Sequence, residues 1–291
     1  CAQHADNDRT RLPLASFGSE LERASSTPSA TAAMDDDDCV HIVSIEGGIG
    51  AGKSTAMEAI QARRPSLFYI DEPVKQWERS GLLAHMYKKS IPPGTFQIAA
   101  LATRMAPLLK AVRKGHRVIV TERCAYSDFE VFTKTNLETG SIELTAYKMA
   151  YDALLTAMPK RVHLHVIYLR ATVDTLLSRI RARNRPAERV SGDSEAAARL
   201  SYLKELHEHH ESFFMMTAEE LGVFKCSRHV VNAGQPAEAV ADAVVQAVSD
   251  AVPVKLEPRE ASVGVKRPCP VVSNASPGAS EQRETADPPH T

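Results

Sequence analysis

Apolar and polar residues alternate along the middle of this chain in blocks. Short runs rich in Val, Ile and Leu fall at 40–45, 67–70, 117–121, 163–169 and 228–231. Their length and near-continuous apolar character suit strands buried on both faces. Longer stretches at 54–63, 95–113, 142–157, 172–184, 195–217 and 236–250 have the length and composition of helices. Strands alternating with helices predict an α/β domain, a five-stranded parallel sheet with helices on both faces. In an open sheet of this class ligands gather beyond the carboxyl ends of the strands. Polar residues just after each run are therefore the candidates for chemistry.

The pattern also bounds the domain. Residues 1–38 are rich in Ser, Ala, Thr and Asp and end in Asp35-Asp36-Asp37-Asp38, while 253–291 hold Pro, Ser, Glu and Ala with scattered apolar side chains. Both are expected to be disordered tails around a folded domain at 39–252. Met34 is a candidate start of translation, and Lys266-Arg267-Pro268 is a basic cluster too short to read as a nuclear address.

Composition narrows the class. The chain has 291 residues, 43% of them hydrophobic, and a net charge of −1. That suffices for one large core and offers no general attraction to a nucleic-acid polymer or an anionic membrane. Five scattered cysteines (Cys1, Cys39, Cys124, Cys226 and Cys269) form no C-x-x-C pair. They suggest neither a zinc site nor a disulfide framework and fit a reducing compartment. No apolar run reaches the roughly 20 residues that span a bilayer. A cytoplasmic protein is expected, with a nuclear or mitochondrial address left open.

Gly47-Gly48-Ile49-Gly50-Ala51-Gly52-Lys53-Ser54 has the form G-x-x-x-x-G-K-[ST], directly after the first strand run and before the first helical stretch. Glycines let the backbone N–H groups curl toward phosphate oxygens, and a helix N-terminus adds partial positive charge at the same spot. Gly47, Gly50, Gly52, Lys53, Ser54 and Thr55 are thus expected to hold a nucleoside triphosphate. Lys53 would reach the outer phosphates and the Ser54 hydroxyl would serve Mg²⁺.

After the second strand stands Asp71-Glu72-Pro73-Val74-Lys75-Gln76-Trp77, and after the third Glu122-Arg123-Cys124-Ala125-Tyr126-Ser127-Asp128. The fourth is followed by Arg170 and a helical stretch with Arg179, Arg181, Arg183 and Arg185. Phosphoryl transfer needs a base, a magnesium ligand and cations for the moving charge, and each type stands at a strand end. Read as one helix, the arginines pair as 179 with 183 and 181 with 185, forming a cationic lid that closes on the triphosphate.

From about 40 to 250 the chain resembles the deoxynucleoside kinases. The resemblance rests on Ile45-Glu46 with the glycine loop, Glu72-Pro73-Val74 with Trp77, Thr95-Phe96-Gln97, Glu122-Arg123 with Tyr126-Ser127-Asp128, Ile167-Tyr168-Leu169-Arg170-Ala171-Thr172, Arg179-Ile180-Arg181-Ala182-Arg183, and Tyr202-Leu203-Lys204-Glu205-Leu206-His207. It implies a P-loop kinase fold with an arginine-rich lid, ATP and Mg²⁺, and a homodimer built on long helices such as 95–113 and 142–157. By resemblance, Glu72 is the base for the 5′-hydroxyl, Trp77 packs along sugar and base, and Gln97 pairs with the base edge. Phe96 and Phe132 form the slot around the ring. Glu122 serves Mg²⁺, Arg123 holds the 5′-oxygen and incoming phosphate, and Tyr87 with Glu188 grips the 3′-hydroxyl. Tyr87 lies in a segment one residue shorter than the family pattern.

Arg104 and Asp128 resemble the deoxycytidine and deoxyguanosine kinase pattern, so deoxycytidine and purine deoxynucleosides are expected ahead of thymidine. Two departures stand out. Cys124 replaces the usual Ser, a change that affects local hydrogen bonding. The 189–199 connection is about two helical turns longer, with a Ser194-Glu195-Ala196-Ala197-Ala198 stretch that suits helix. A thymidine kinase of the same family and a nucleoside monophosphate kinase such as thymidylate kinase are the alternatives. The latter needs cations at the acceptor end, where this chain has Glu72.

Overall fold

The computed structural model describes residues 39–252. The expected tails, with Met34 and Lys266–Pro268, lie outside the described residues.

Five strands form one sheet: β1 (Val40–Glu46), β2 (Phe68–Ile70), β3 (Val118–Glu122), β4 (Val162–Arg170) and β5 (Lys225–Asn232). All neighbouring pairs are parallel, in the order β2-β3-β1-β4-β5. The helices are α1 (Lys53–Arg63), α2 (Val74–Arg79), α3 (Leu82–Tyr87), α4 (Pro93–Arg113), α5 (Ala125–Ser127), α6 (Lys134–Asn136), α7 (Ile142–Thr156), α8 (Val173–Arg183), α9 (Asp193–Met215) and α10 (Ala237–Ala251). A π-helical turn, Asp128–Thr133, joins α5 to α6.

Strand periodicity explains the layers. Along β1, Val43 and Ile45 point into a core shared with Met57 and Ile60 of α1 and Val244 and Val248 of α10. Val40 and Ile42 point the other way, toward Leu101 and Met105 of α4, Tyr147 of α7 and Leu206 and Phe213 of α9. A smaller cluster of Trp77, Leu83, Phe96 and Ala100 closes one wall of the site.

Every strand and long helix expected from the sequence is present within about two residues, apart from β5, which begins three residues earlier, at Lys225. The short α2 and α3 and the π-containing run at 125–136 were not anticipated. The long 189–199 connection becomes helix: α9 starts at Asp193 and runs for 23 residues. Among the described residues no helix is long and apolar enough to cross a membrane.

Candidate active site

β1 delivers the chain into the glycine loop at the carboxyl edge of the sheet. Gly47 has φ 145°, and a Cβ there would lie 2.7 Å from the Leu169 carbonyl oxygen of β4. At Gly50 (φ 88°) a Cβ would lie 2.9 Å from the Leu176 carbonyl of α8. Both positions need a left-handed backbone and a close backbone approach, which only glycine supplies without strain. Gly52, also left-handed, precedes α1 without a side-chain cap, leaving the first-turn N–H groups facing the loop.

Lys53 Nζ donates to the Gly47 and Gly48 carbonyls, each at 3.2 Å, and stands 4.0 Å from Glu122. Burial first, and then the Arg123 guanidinium, lower its pKa to about 8. Ser54 Oγ donates to Glu122 Oε2 at 3.1 Å. Burial raises the Glu122 carboxyl and nearby Glu72 adds to that, against Lys53 and Arg123. A hydroxyl and a carboxylate side by side form an oxygen donor set that fits a hard divalent cation such as Mg²⁺. The positive charge would also relieve the raised carboxyl.

The acceptor side opens next to this loop. One cavity of about 510 Å³ is lined by Gly50, Gly52, Lys53, Ser54 and Thr55 at one end and by Glu72, Trp77, Tyr87, Phe96, Gln97 and Phe132 at the other. Its volume is in the range of small-ligand sites. Trp77 and Phe96 meet edge to face at 5.3 Å, and Trp77 Nε1 donates to Thr103 Oγ1 at 3.1 Å. Gln97 is 3% exposed and lines the cavity.

Glu72 accepts from Arg104 and lies 3.2 Å from Arg123 Nε. Burial works to raise its pKa, but Arg104, Arg123 and Lys53 together hold the carboxyl well below the usual range. Arg104 also donates to Asp128. Gly47, Arg104 and Asp128 are not among the cavity-lining residues; the Arg104–Asp128 pair stands behind the wall that Glu72 presents. Burial pushes the Asp128 carboxyl up while Arg104 pulls it down, and Arg104 is held more firmly charged by Asp128 and Glu72 in spite of its own burial. The two tendencies oppose each other; direct contact of one guanidinium with both carboxylates decides for the ionised trio.

Arg123 has φ 68°, a left-handed backbone that a non-glycine residue adopts only when its surroundings impose it. Its N–H donates to Ile45 O at 3.2 Å, and the next N–H, of Cys124, donates to Glu46 Oε1 at 3.1 Å. Glu46 also accepts from Ser44 at 2.6 Å and Ser127 at 2.7 Å. The guanidinium stacks over Phe132 at 4.3 Å and meets His210 Nε2 at 3.3 Å. Glu46 entered the sequence reading only as part of the matching motif, without a role, and His210 was not singled out. A carboxylate ending an apolar strand was the available signal for Glu46; nothing local marked His210. Cys124 does not open the loop, since a reciprocal capping arrangement with Ser127 is in place.

The lid departs from the expected single helix. α8 stops at Arg183, where Asn184 takes a left-handed φ of 50°. The expected helical pairing of Arg181 with Arg185 therefore does not occur. Arg179, Arg183 and Arg185 line the cavity, and Arg181 does not. Glu188 accepts from Arg183 at 2.7 Å and from Arg185 at 3.2 Å. Arg185 also pairs with Glu78 at 3.1 Å. Tyr87 Oη stands 3.5 Å from Glu188, and the Arg199 guanidinium covers the Tyr87 ring at 4.4 Å from its centroid. Tyr87 and Glu188 thus converge in spite of the shortened segment before Tyr87.

The model of the deoxynucleoside kinase family matches residues 43–250. Deoxycytidine kinase 2 of Gallus gallus is 30% identical over 199 residues, spanning 59% of this chain and 72% of that protein. Mitochondrial deoxyguanosine kinase of Xenopus laevis is 28% identical over 205 residues, spanning 62% and 75%. The solved deoxyadenosine kinase from M. mycoides, with dCMP and a flexible dCDP bound, matches with a TM-score of 0.55 at 23% identity. It covers 72% of this chain and 99% of that one, a likeness of fold.

Proposed function

The chain belongs to the deoxynucleoside kinase family, and from that membership we propose that it transfers the γ-phosphoryl group of ATP to the 5′-hydroxyl of deoxynucleosides, favouring deoxycytidine and purine deoxynucleosides over thymidine. The observation behind this reading is Glu72, an ionised carboxylate on the wall between the phosphate loop and the aromatic slot. A carboxylate there accepts a hydrogen bond from a hydroxyl and repels a phosphate, which disfavours a monophosphate acceptor.

The 5′-hydroxyl oxygen bonds to the γ-phosphorus as the bond to the β,γ-bridging oxygen breaks, and ADP leaves. The hydroxyl proton passes to Glu72. Arg123, Lys53 and the lid arginines hold the charge that spreads over the phosphoryl oxygens. Mg²⁺, held by Ser54 and Glu122, would supply further charge neutralisation on the phosphates. Trp77, Phe96 and Phe132 exclude water and fix the ring, Gln97 pairs with its edge, and Tyr87 with Glu188 takes the 3′-hydroxyl. The low pKa of Glu72 makes it a weak base, so most of the rate is assigned to positioning and electrostatics.

Two exposed apolar side chains on α7, Ile142 (81%) and Met149 (71%), lie two turns apart on one face. They support a homodimer through the α4–α7 surface. Light scattering should give twice the chain mass, and Met149→Glu should shift it toward the monomer.

The test of the reaction is steady-state phosphorylation of deoxycytidine, deoxyguanosine, deoxyadenosine and thymidine with Mg·ATP. Highest kcat/KM on the first three is expected. Dominant thymidine activity overturns the base preference, and turnover of monophosphates alone overturns the acceptor assignment.

A further inference from the structure

At the opposite edge of the sheet, three histidines share one face. His41 of β1 pairs in register with His163 of β4, and His165 follows two residues later on the same side. That side otherwise carries Val43, Ile45, Ile167 and Leu169, so three imidazoles occupy positions where a parallel sheet normally places aliphatic side chains. All three are nearly inaccessible, at 1%, 7% and 3% exposure for His41, His163 and His165.

Their rings converge. The His163 and His165 rings stack with centroids 3.7 Å apart, and His41 lies 5.2 and 5.3 Å from them. His41 Nδ1 is 3.0 Å from His165 Nε2. One ring nitrogen from each of the three falls within 4.8 Å of the others. His163 Nε2 meets Ser227 Oγ of β5 at 2.7 Å. His165 Nδ1 is buried without a hydrogen-bond partner among the described residues, which costs free energy unless a ligand or ion satisfies it.

From these positions we propose that His41, His163 and His165 form a binding site for a borderline divalent transition-metal ion of the Zn²⁺ type, remote from the nucleotide cavity. Zinc–imidazole bonds of about 2.0–2.1 Å in tetrahedral geometry separate ligand nitrogens by roughly 3.3 Å. The three ligand nitrogens, within 4.8 Å of one another, would close to that spacing as the stacked rings reorient around the ion. A neutral imidazole offers a ring-nitrogen lone pair to a metal ion. Ser227 is placed to orient the His163 ring from outside the coordination shell. The site ties β1 to β4 near their amino ends, whereas the glycine loop follows the carboxyl end of β1. Its role is structural: the ion fastens two central strands and does not enter the phosphoryl transfer.

The test uses the full chain, stripped with chelator and titrated with Zn²⁺ alone by calorimetry and with Co²⁺ by its visible d–d absorption. One equivalent bound with the spectrum of a four-coordinate nitrogen-rich site is expected, together with a rise in melting temperature. His165→Gln should weaken binding at least tenfold and leave phosphorylation kinetics unchanged. Ser227→Ala, which keeps all three imidazoles, should weaken it about 10–100-fold. The paired control His207→Gln/His209→Gln should bind as the parent does. Absence of stoichiometric uptake overturns the proposal. So does parent-like affinity in both the His165→Gln and Ser227→Ala proteins, or loss of binding in the control. X-ray absorption of the zinc-loaded parent reads the ligand shell without any substitution, and a shell with fewer than three imidazoles overturns it as well.

Discussion

Arg104 donates to Asp128 through one terminal nitrogen and to Glu72 through the other, so one guanidinium joins the residue expected to set base preference to the residue expected to accept the proton. Both carboxylates and the guanidinium are shielded from solvent, with side-chain exposures of 1%, 14% and 10%. In the proposed reaction, recognition of the nucleobase and ionisation of the proton acceptor are therefore coupled through a single side chain.

This coupling makes the single and double substitutions differ. Arg104→Met alone strands Asp128 as a buried charge, which should lower stability by about 3–5 kcal/mol, whereas Arg104→Met/Asp128→Ala removes both charges and should recover most of that loss. Urea unfolding of the three proteins measures it. The double variant should also raise the thymidine-to-deoxycytidine ratio of kcat/KM, because a bulky cation leaves the region behind the slot. Equal destabilisation by the single and double changes would show that the pair is not coupled.

Glu72→Gln keeps size and one acceptor but cannot take a proton. A drop in kcat of about 10²–10⁴ is expected, with the deoxynucleoside KM little changed, the signature of an interaction realised in the transition state. Turnover equal to the parent enzyme would remove Glu72 from proton transfer.

Lys53 gives the basic limb of the pH profile. Its pKa lies near 8, so the ammonium is present below that value and lost above it. Since kcat/KM for ATP reports the free enzyme, it should be flat from neutrality to about pH 8 and then fall. Glu72, held well below its usual pKa, stays ionised throughout and contributes no acid limb near neutrality. Lys53→Arg should have lower activity but no such fall, because a guanidinium keeps its proton. A limb that persists in Lys53→Arg would assign it elsewhere.

What was legible in the chain follows from how far each signal reaches. The glycine loop was legible because its spacing fixes backbone geometry locally. Periodicity put Gln97 and Arg104 on one long helix, but only Gln97 lines the cavity, and their roles came from the family resemblance. The run at 125–136 was not, since a π-turn breaks the 3.6-residue period. Arg185 was placed on the lid helix although Asn184, which tolerates a left-handed backbone, and Pro186 two residues on were an available stop signal. The Arg123 backbone conformation and its contact with His210 depend on groups 78–87 positions away in sequence. Such contacts exist only after folding, and local pattern cannot register them.

The Glu188 carboxylate meets Tyr87, Arg183 and Arg185 together. In the proposed reaction the same group receives the substrate 3′-hydroxyl, so nucleoside binding and lid position share one carboxylate. Glu188→Gln keeps the shape and removes the charge. The charge-assisted bonds weaken, and the deoxynucleoside KM should rise about tenfold or more. A sharper readout is discrimination against the 3′-deoxy analogue of the same nucleoside. The parent enzyme should favour the 3′-hydroxyl substrate in kcat/KM, and Glu188→Gln should bring that ratio toward unity, because the variant lacks the partner that distinguishes the two. Tyr87→Phe should move the ratio the same way by a smaller amount, since it removes a neutral donor and leaves the carboxylate. A ratio unchanged in Glu188→Gln would mean that Glu188 only holds the lid arginines and does not touch the sugar.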